Sequence, residues 1–202
     1  MILVFIGIQW SWKWTQARLL AEKFDFKILE MWQELRNIIA SWSPLWNEIK
    51  ETMNAWKLLG PEIVWEVAKK SIWDQINMDL ILDWYLRNLW NKMTLDEIVP
   101  NYKVVYFDLS REKAMNRLLW RMYDPETWDT FPSWTETNPK NWNKLIKRDD
   151  DTEAGIKTRI DAFFETTEPI VDLLRDEWKV VEINADQSVV DVNEELIKKL
   201  WL

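Results

Sequence analysis

"FIGIQWSWKWTQ", residues Phe5 to Gln16, closes a short apolar run and sets three tryptophans around Ser11 and Lys13. Without its tryptophans the stretch has the outline of a strand, a phosphate-gripping loop and the start of a helix. Such a loop works by bringing main-chain N–H groups against phosphate oxygens at a helix N-terminus, and tryptophan is the residue least able to allow that approach. The bulkiest side chain stands where the smallest is needed.

Composition narrows what the stretch can be part of. A chain of 202 residues, 48% hydrophobic and 30% charged, can build one sizeable core with small inserted lobes. No run approaches the roughly 18 apolar residues of a membrane span. The apolar start "MILVFIGI" is short and lacks the basic flank of a signal peptide, so a cytoplasmic protein with no membrane partner is expected. With no cysteine and no histidine, disulfides, thiolate metal sites and imidazole bases are excluded, and chemistry must run on Lys, Arg, Asp and Glu. A net charge of −8 argues against a general nucleic-acid binder, while a local cluster of arginines can still hold a small anion.

The chain carries 17 tryptophans and 3 glycines, and together these come to about the glycine share of an ordinary protein. The tryptophans also take glycine-like places. "SWS", "ETWDT" and "KNWNK" read as turns, "NAWKLLG" as a helix C-cap, and "DEWKVVEI" as a helix end leading into a strand. An aromatic core would follow a 3.6 or 2.0 period, and most of these positions do not. The expectation is therefore a conceptual translation in which a codon that means glycine, UGA in a lineage that reassigns it, is written as tryptophan.

Strand-like runs at 1–6, 79–82, 103–109 and 179–183 alternate with helical patterns over 13–24, 33–40, 61–72, 111–122, 152–175 and 188–200. That alternation is the rhythm of βαβ units on a parallel sheet and predicts an α/β fold. Pro169 predicts a bend or break in the long 152–175 segment. Residues 31–60 read as a helical insert, and 122–147 as a polar, turn-rich one with Pro125, Pro132 and Pro139.

With glycine at 10, 12 and 14 the opening stretch becomes a P-loop between strand and helix. Gly7 and positions 10 and 12 would turn N–H groups to a β-phosphate, Lys13 would bridge β- and γ-oxygens, and Thr15 would sit near the metal-bound phosphates. The chain here resembles adenylate kinase. The likeness continues through "EMWQELRNIIASWSPLWNEIKETMNAWKL" (30–58), "LILDWYLRN" (80–88), "NRLLWRM" (116–122) and "KRDDDTEAGIKTRIDAFFETTEPIVDLL" (147–174). Tryptophan stands at the family's glycine at 10, 12, 14, 32, 42, 46, 56, 84, 120 and 178. Positions 65, 73, 90, 128, 134, 142 and 201 are less constrained, and Trp65, inside a helical run, reads as a true tryptophan.

The resemblance implies a P-loop NTPase-type parallel sheet with a core of 1–30, 61–121 and 152–202, a lobe for the nucleoside monophosphate at 31–60 and a lid at 122–151. It implies reversible phosphoryl transfer from Mg-ATP to AMP, giving two ADP, in a monomer. ATP would be held by residues 10 to 15 (Trp10, Ser11, Trp12, Lys13, Trp14, Thr15) with Arg117, Arg121 and Gln187. Arg117 would stack on the adenine. AMP would be held by Met31, Arg36, Leu59, Trp84, Arg87, Asn91, Arg148 and Arg159. Lys13, Arg87, Arg121, Arg148 and Arg159 would stabilise the travelling phosphoryl group, Asp83 would orient Mg2+ through water, and Asp150 and Asp151 would fix the lid arginines. The family pattern has Thr at Met31, Pro at Leu86 and Gln at Asn91, and the changes at 31 and 91 leave a UMP/CMP-type acceptor open. So does a non-catalytic nucleotide-fold protein whose tryptophans form a binding surface. A lid with neither Cys nor His cannot carry a four-ligand zinc site, so packing and charge pairs must order it.

Overall fold

A computed structural model describes residues 1–30, 33–34, 61–83, 85–127, 129–149 and 151–202. The proposed acceptor lobe, with Met31, Arg36 and Leu59, lies outside the described residues, as do Trp84, Trp128 and Asp150.

The element order is β1 (Ile2–Gly7), α1 (Lys13–Phe24), β2 (Lys27–Glu30), α2 (Pro61–Trp73), β3 (Leu80–Asp83), α3 (Leu89–Ile98), β4 (Lys103–Asp108), α4 (Arg111–Leu119), β5 (Arg121–Tyr123), β6 (Thr130–Pro132), α5 (Glu153–Ala162), a π-helical turn (Phe163–Thr167), α6 (Glu168–Asp176), β7 (Val180–Asn184) and α7 (Val189–Leu200). Five strands form one sheet in the order β2-β3-β1-β4-β7, and every pair in it is parallel. Parallel strands covered by helices bury both faces, so they read as continuous apolar runs rather than alternating ones. Leu3, Val4, Ile81, Leu82, Val104 and Val105 accordingly have no exposed surface, and each such side chain stabilises the fold by about 1.5–3 kcal/mol. Phe5 and Phe107 meet edge to face, ring centroids 5.0 Å apart, beneath the loop that follows β1.

Four helices carry the local caps their sequences offer. Asn88, Ser110, Thr152 and Ser188 each accept a hydrogen bond from the N–H three residues on.

The structure departs from local patterning in three places. Lys27–Glu30 is half polar, yet pairs as a strand with β3 in the register Lys27 to Leu80. Helix α3 was not expected, and it starts at the Asn88 cap. The helix expected over 111–122 stops at Leu119, because Arg121–Tyr123 pairs antiparallel with Thr130–Pro132 in a separate two-stranded sheet. The helix expected over 152–175 breaks just before Pro169, in line with the bend or break expected there. Proline offers no N–H to the turn before it, and a π turn in which Glu168 N–H donates to Phe163 O absorbs the misfit.

The chain leaves β1 toward β2 and β3, then crosses to β4 on the other side of β1. A sheet wound this way opens a crevice beyond the carboxyl ends of its strands. That crevice receives the loop after Gly7 and the end of β3 at Asp83.

Candidate active site

The loop turns where only a small residue fits. A Cβ on Gly7 would lie 2.6 Å from Ser11 Oγ and 2.9 Å from both the Cβ and the carbonyl oxygen of Phe107. Ser11 is fully buried, and its hydroxyl donates to Ile8 O at 2.8 Å, tightening the turn. Trp10 and Trp12 both take left-handed backbone conformations, φ 65° and 67°, and their rings stand 6.3 Å apart. Trp14 is exposed and Thr15 half-buried in the first turn of α1. Lys13 reaches back into the loop, its Nζ donating to Gly7 O at 2.5 Å and Ile8 O at 2.9 Å. Desolvation lowers the Lys13 amine to about 8, against an upward pull from Asp83 and with a further downward push from Arg87. A cation held in a ring of carbonyl oxygens and short of solvent is poised to accept a better anionic partner.

That partner's place is a cleft of about 300 Å³ lined by Gly7, Lys13, Arg87, Arg159 and Thr167 among others. Asp83 closes β3 with only 2% of its surface exposed. Burial brings the Arg87 guanidinium down to about 10, with Asp83 opposing, so it keeps its charge at neutral pH. Two contacts fix the Arg87 main chain: its N–H donates to Asn91 Oδ1 at 3.3 Å, and its carbonyl accepts from Thr167 Oγ1 at 3.2 Å. Asn91 is buried, with its side-chain oxygen committed to this loop. Thr167 is a member of the site that residue patterning does not single out. Its only sequence signal is its place just ahead of Pro169.

A second group gathers on Asp151, whose side chain has no exposed surface. Arg121 grips it with two bonds, Nε to Oδ2 at 2.8 Å and Nη2 to Oδ1 at 2.6 Å. Arg159 Nη2 shares Oδ1 at 2.6 Å. Burial lowers Arg121, Asp151 counters this, and the like charges of Arg148 and Arg159 add to the lowering. Arg121, Arg148 and Arg159 thus form one positive cluster.

Arg117 ties a third part together. Its Nη1 donates to Trp10 O at 3.2 Å and Ala185 O at 3.1 Å, and its guanidinium lies 5.1 Å from the Trp12 ring. Arg117 therefore bridges the loop after β7 and the loop after β1. Gln187 sits on that β7 loop, its amide donating to Asn184 O and Glu195 Oε2.

The segment around β5 and β6, expected as a lid ordered by packing and charge pairs, is held chiefly by one buried carboxylate. Asp124 accepts from the side-chain amides of Asn138, Asn141 and Asn143 and from the Glu126 N–H. Burial would raise its pKa, but these donors, Asn141 and Asn138 foremost, hold it well below the usual carboxylate range. Asp129 adds ion pairs to Arg18 of α1 at 3.5 Å and to Lys140 at 3.6 Å. Asp124→Ala leaves the Asn138 and Asn141 amides without this acceptor and is expected to loosen the segment around β5 and β6 while sparing the five-stranded sheet. Hydrogen exchange should accelerate at Tyr123 and Ile146 and stay unchanged in β1 and β4; uniform acceleration would show that Asp124 is part of the global fold instead.

Among the described residues no helix is long and apolar enough to cross a membrane.

A family model described as adenylate kinase matches residues 5–179. The chain is 28% identical to the adenylate kinase of Chlamydia trachomatis serovar D over an aligned span of 221 residues, covering 99% of this chain and 90% of that protein. It is 29% identical to the adenylate kinase of Prochlorococcus marinus, covering 98% of this chain and 97% of that one. The adenylate kinase of Natronomonas pharaonis is 34% identical over 151 residues, with 73% and 71% covered.

Proposed function

This chain belongs to the adenylate kinase family, and we propose that it transfers a phosphoryl group between Mg-ATP and AMP, giving two ADP, across the cleft shared by Lys13 and Arg87. The observation that carries this reading is the pair of desolvated cations facing one cleft beyond the carboxyl ends of β1 and β3. Phosphoryl transfer needs little covalent chemistry and much fixed positive charge with water kept out.

Each group then has a role. Lys13 meets the β- and γ-oxygens of ATP, exchanging the loop carbonyls for them. Arg87, with Arg36, holds the acceptor phosphate. Arg121, Arg148 and Arg159 stabilise charge on the group in transit, and Asp151 orients two of them. Arg117 and the Gln187 loop bound the adenine end. Adenylate kinases work on magnesium nucleotides, and Asp83 is a hard-oxygen donor suited to Mg2+, which when bound would neutralise phosphate charge. Asp83 would orient the ion through water. Movement of the lid and of the acceptor lobe over the cleft would exclude water. The protein would act as a cytoplasmic monomer.

The deciding experiment is a coupled assay of phosphoryl transfer, on protein carrying glycine at positions 10, 12 and 14, with AMP, CMP and UMP as acceptors. Preference for AMP is expected; preference for CMP or UMP would move the assignment to that acceptor class, and no turnover with any of them would refute the reading.

The Thr167 bond to Arg87 yields a finer prediction. A neutral hydrogen bond contributes about 1 kcal/mol, or about fivefold, so Thr167→Val should raise KM for AMP by about that factor and leave KM for ATP unchanged. Thr167→Ser should restore the original value. Equal changes for both nucleotides would show a general structural effect.

A further inference from the structure

Among the described residues six that are not glycine take a left-handed backbone, and five are tryptophan: Trp10, Trp12, Trp142, Trp178 and Trp201, with φ between 59° and 67°. The sixth is Asp25, a residue type that enters this region with local side-chain help. No described glycine has a positive φ. The conformation reserved for glycine is thus filled by the bulkiest side chain.

We propose that glycine occupies positions 10, 12, 142, 178 and 201 in the protein its source makes, the codon there being decoded as glycine. Two helix ends carry the argument without reference to the nucleotide site. After α6, Trp178 N–H donates to Arg175 O and Lys179 N–H to Leu174 O; after α7, Trp201 N–H donates to Lys198 O and Leu202 N–H to Ile197 O. Both are the paired bonds of a Schellman cap, whose left-handed residue is usually glycine. The indoles gain nothing in return, since Trp178 is 95% exposed and Trp201 90%. Trp142 repeats the pattern in a lid turn, at φ 64° and 79% exposed.

Strain at a working site is a known reason for a residue other than glycine to adopt such a backbone. That explanation is available for Trp10 and Trp12 alone, and Trp178 stands before the opposite end of β7 from the cleft. Trp12 is not well served either. Its indole nitrogen is buried with no hydrogen-bond partner among the described residues, although buried indole N–H groups usually find one. Trp65 supplies the contrast. It lies within α2, packs against the core, and has the Lys69 ammonium 4.4 Å from its ring. The proposal does not extend to it.

The test is intact-mass and peptide-sequencing mass spectrometry on the protein purified from its source cells. Glycine at all five positions is expected, each lightening the chain by one indolylmethyl group. Tryptophan at any of the five overturns the proposal. A second arm uses recombinant protein of the written sequence: Trp178→Gly and Trp201→Gly should each raise the thermal midpoint by roughly 2–4 °C, while Trp65→Gly lowers it. A fall with either cap substitution would show that the backbone there does not call for glycine.

Discussion

Glycine in place of Trp10, Trp12 and Trp14 is expected to raise ATP affinity by about 10²–10⁴-fold and to bring phosphoryl transfer from negligible to readily measured. The N–H groups of this loop must reach phosphate oxygens, and charge-assisted hydrogen bonds contribute about 1.5–3 kcal/mol each. Losing two of them accounts for the range, at 1.4 kcal/mol per tenfold. In the written chain the rings of Trp10 and Trp12 stand 6.3 Å apart over the loop, with Arg117 drawn to the Trp12 face at 5.1 Å. A cation that would flank the adenine is occupied by an indole instead. Backbone strain works in the same direction, at about 1–3 kcal/mol for each residue forced into such a region. Both forms can be made from synthetic genes and compared by calorimetry and a coupled assay. Equal affinity and turnover in the two would refute the steric argument.

Lys13→Met in the glycine-loop form should cost about 10²–10³-fold or more in turnover, the usual loss when one preorganised charge aimed at the transition state is removed. The fold should survive, because the amine's bonds stay within the loop, to the carbonyls of Gly7 and Ile8 and the hydroxyl of Ser11. Methionine keeps most of the length and lacks the charge. A pH series separates this role from simple space-filling. Lys13 sits at about 8, lowered by desolvation, and phosphate favours its protonated form. Below that pH the ammonium is present and binding is strong. As pH rises through about 8 the free loop loses the charge, so ATP affinity should fall and binding should take up a proton. The Met variant should show neither effect in that window. Undiminished turnover in Lys13→Met would mean that the loop register is wrong.

Local signals made much of this protein legible. The β1-loop-α1 unit reads directly, because an apolar run followed by the Ser11-Lys13 loop and a helical pattern are all neighbours in sequence. The parallel sheet follows from apolar runs alternating with helices, and β4, β7 and α7 lie within a residue or two of expectation. The excess of tryptophan over glycine was visible in composition alone. Its conformational meaning at Trp201 was not, since φ belongs to the folded chain.

Only the tertiary structure decided the rest, and the reason is common to each case. Lys27–Glu30 becomes a strand because Leu80 and its neighbours offer it a hydrogen-bonding edge, which a four-residue pattern with charged ends does not announce. Arg121–Tyr123 leaves the expected helix because Thr130–Pro132 returns to pair with it. Asp151 gathers Arg121 from 30 residues away, and Thr167 reaches Arg87 across 80. Periodicity and capping act over one or two turns of chain and can be read in the sequence. Long-range pairs depend on where the sheet brings separate segments together, so the chain names the charged and hydroxyl groups while the fold decides which of them meet.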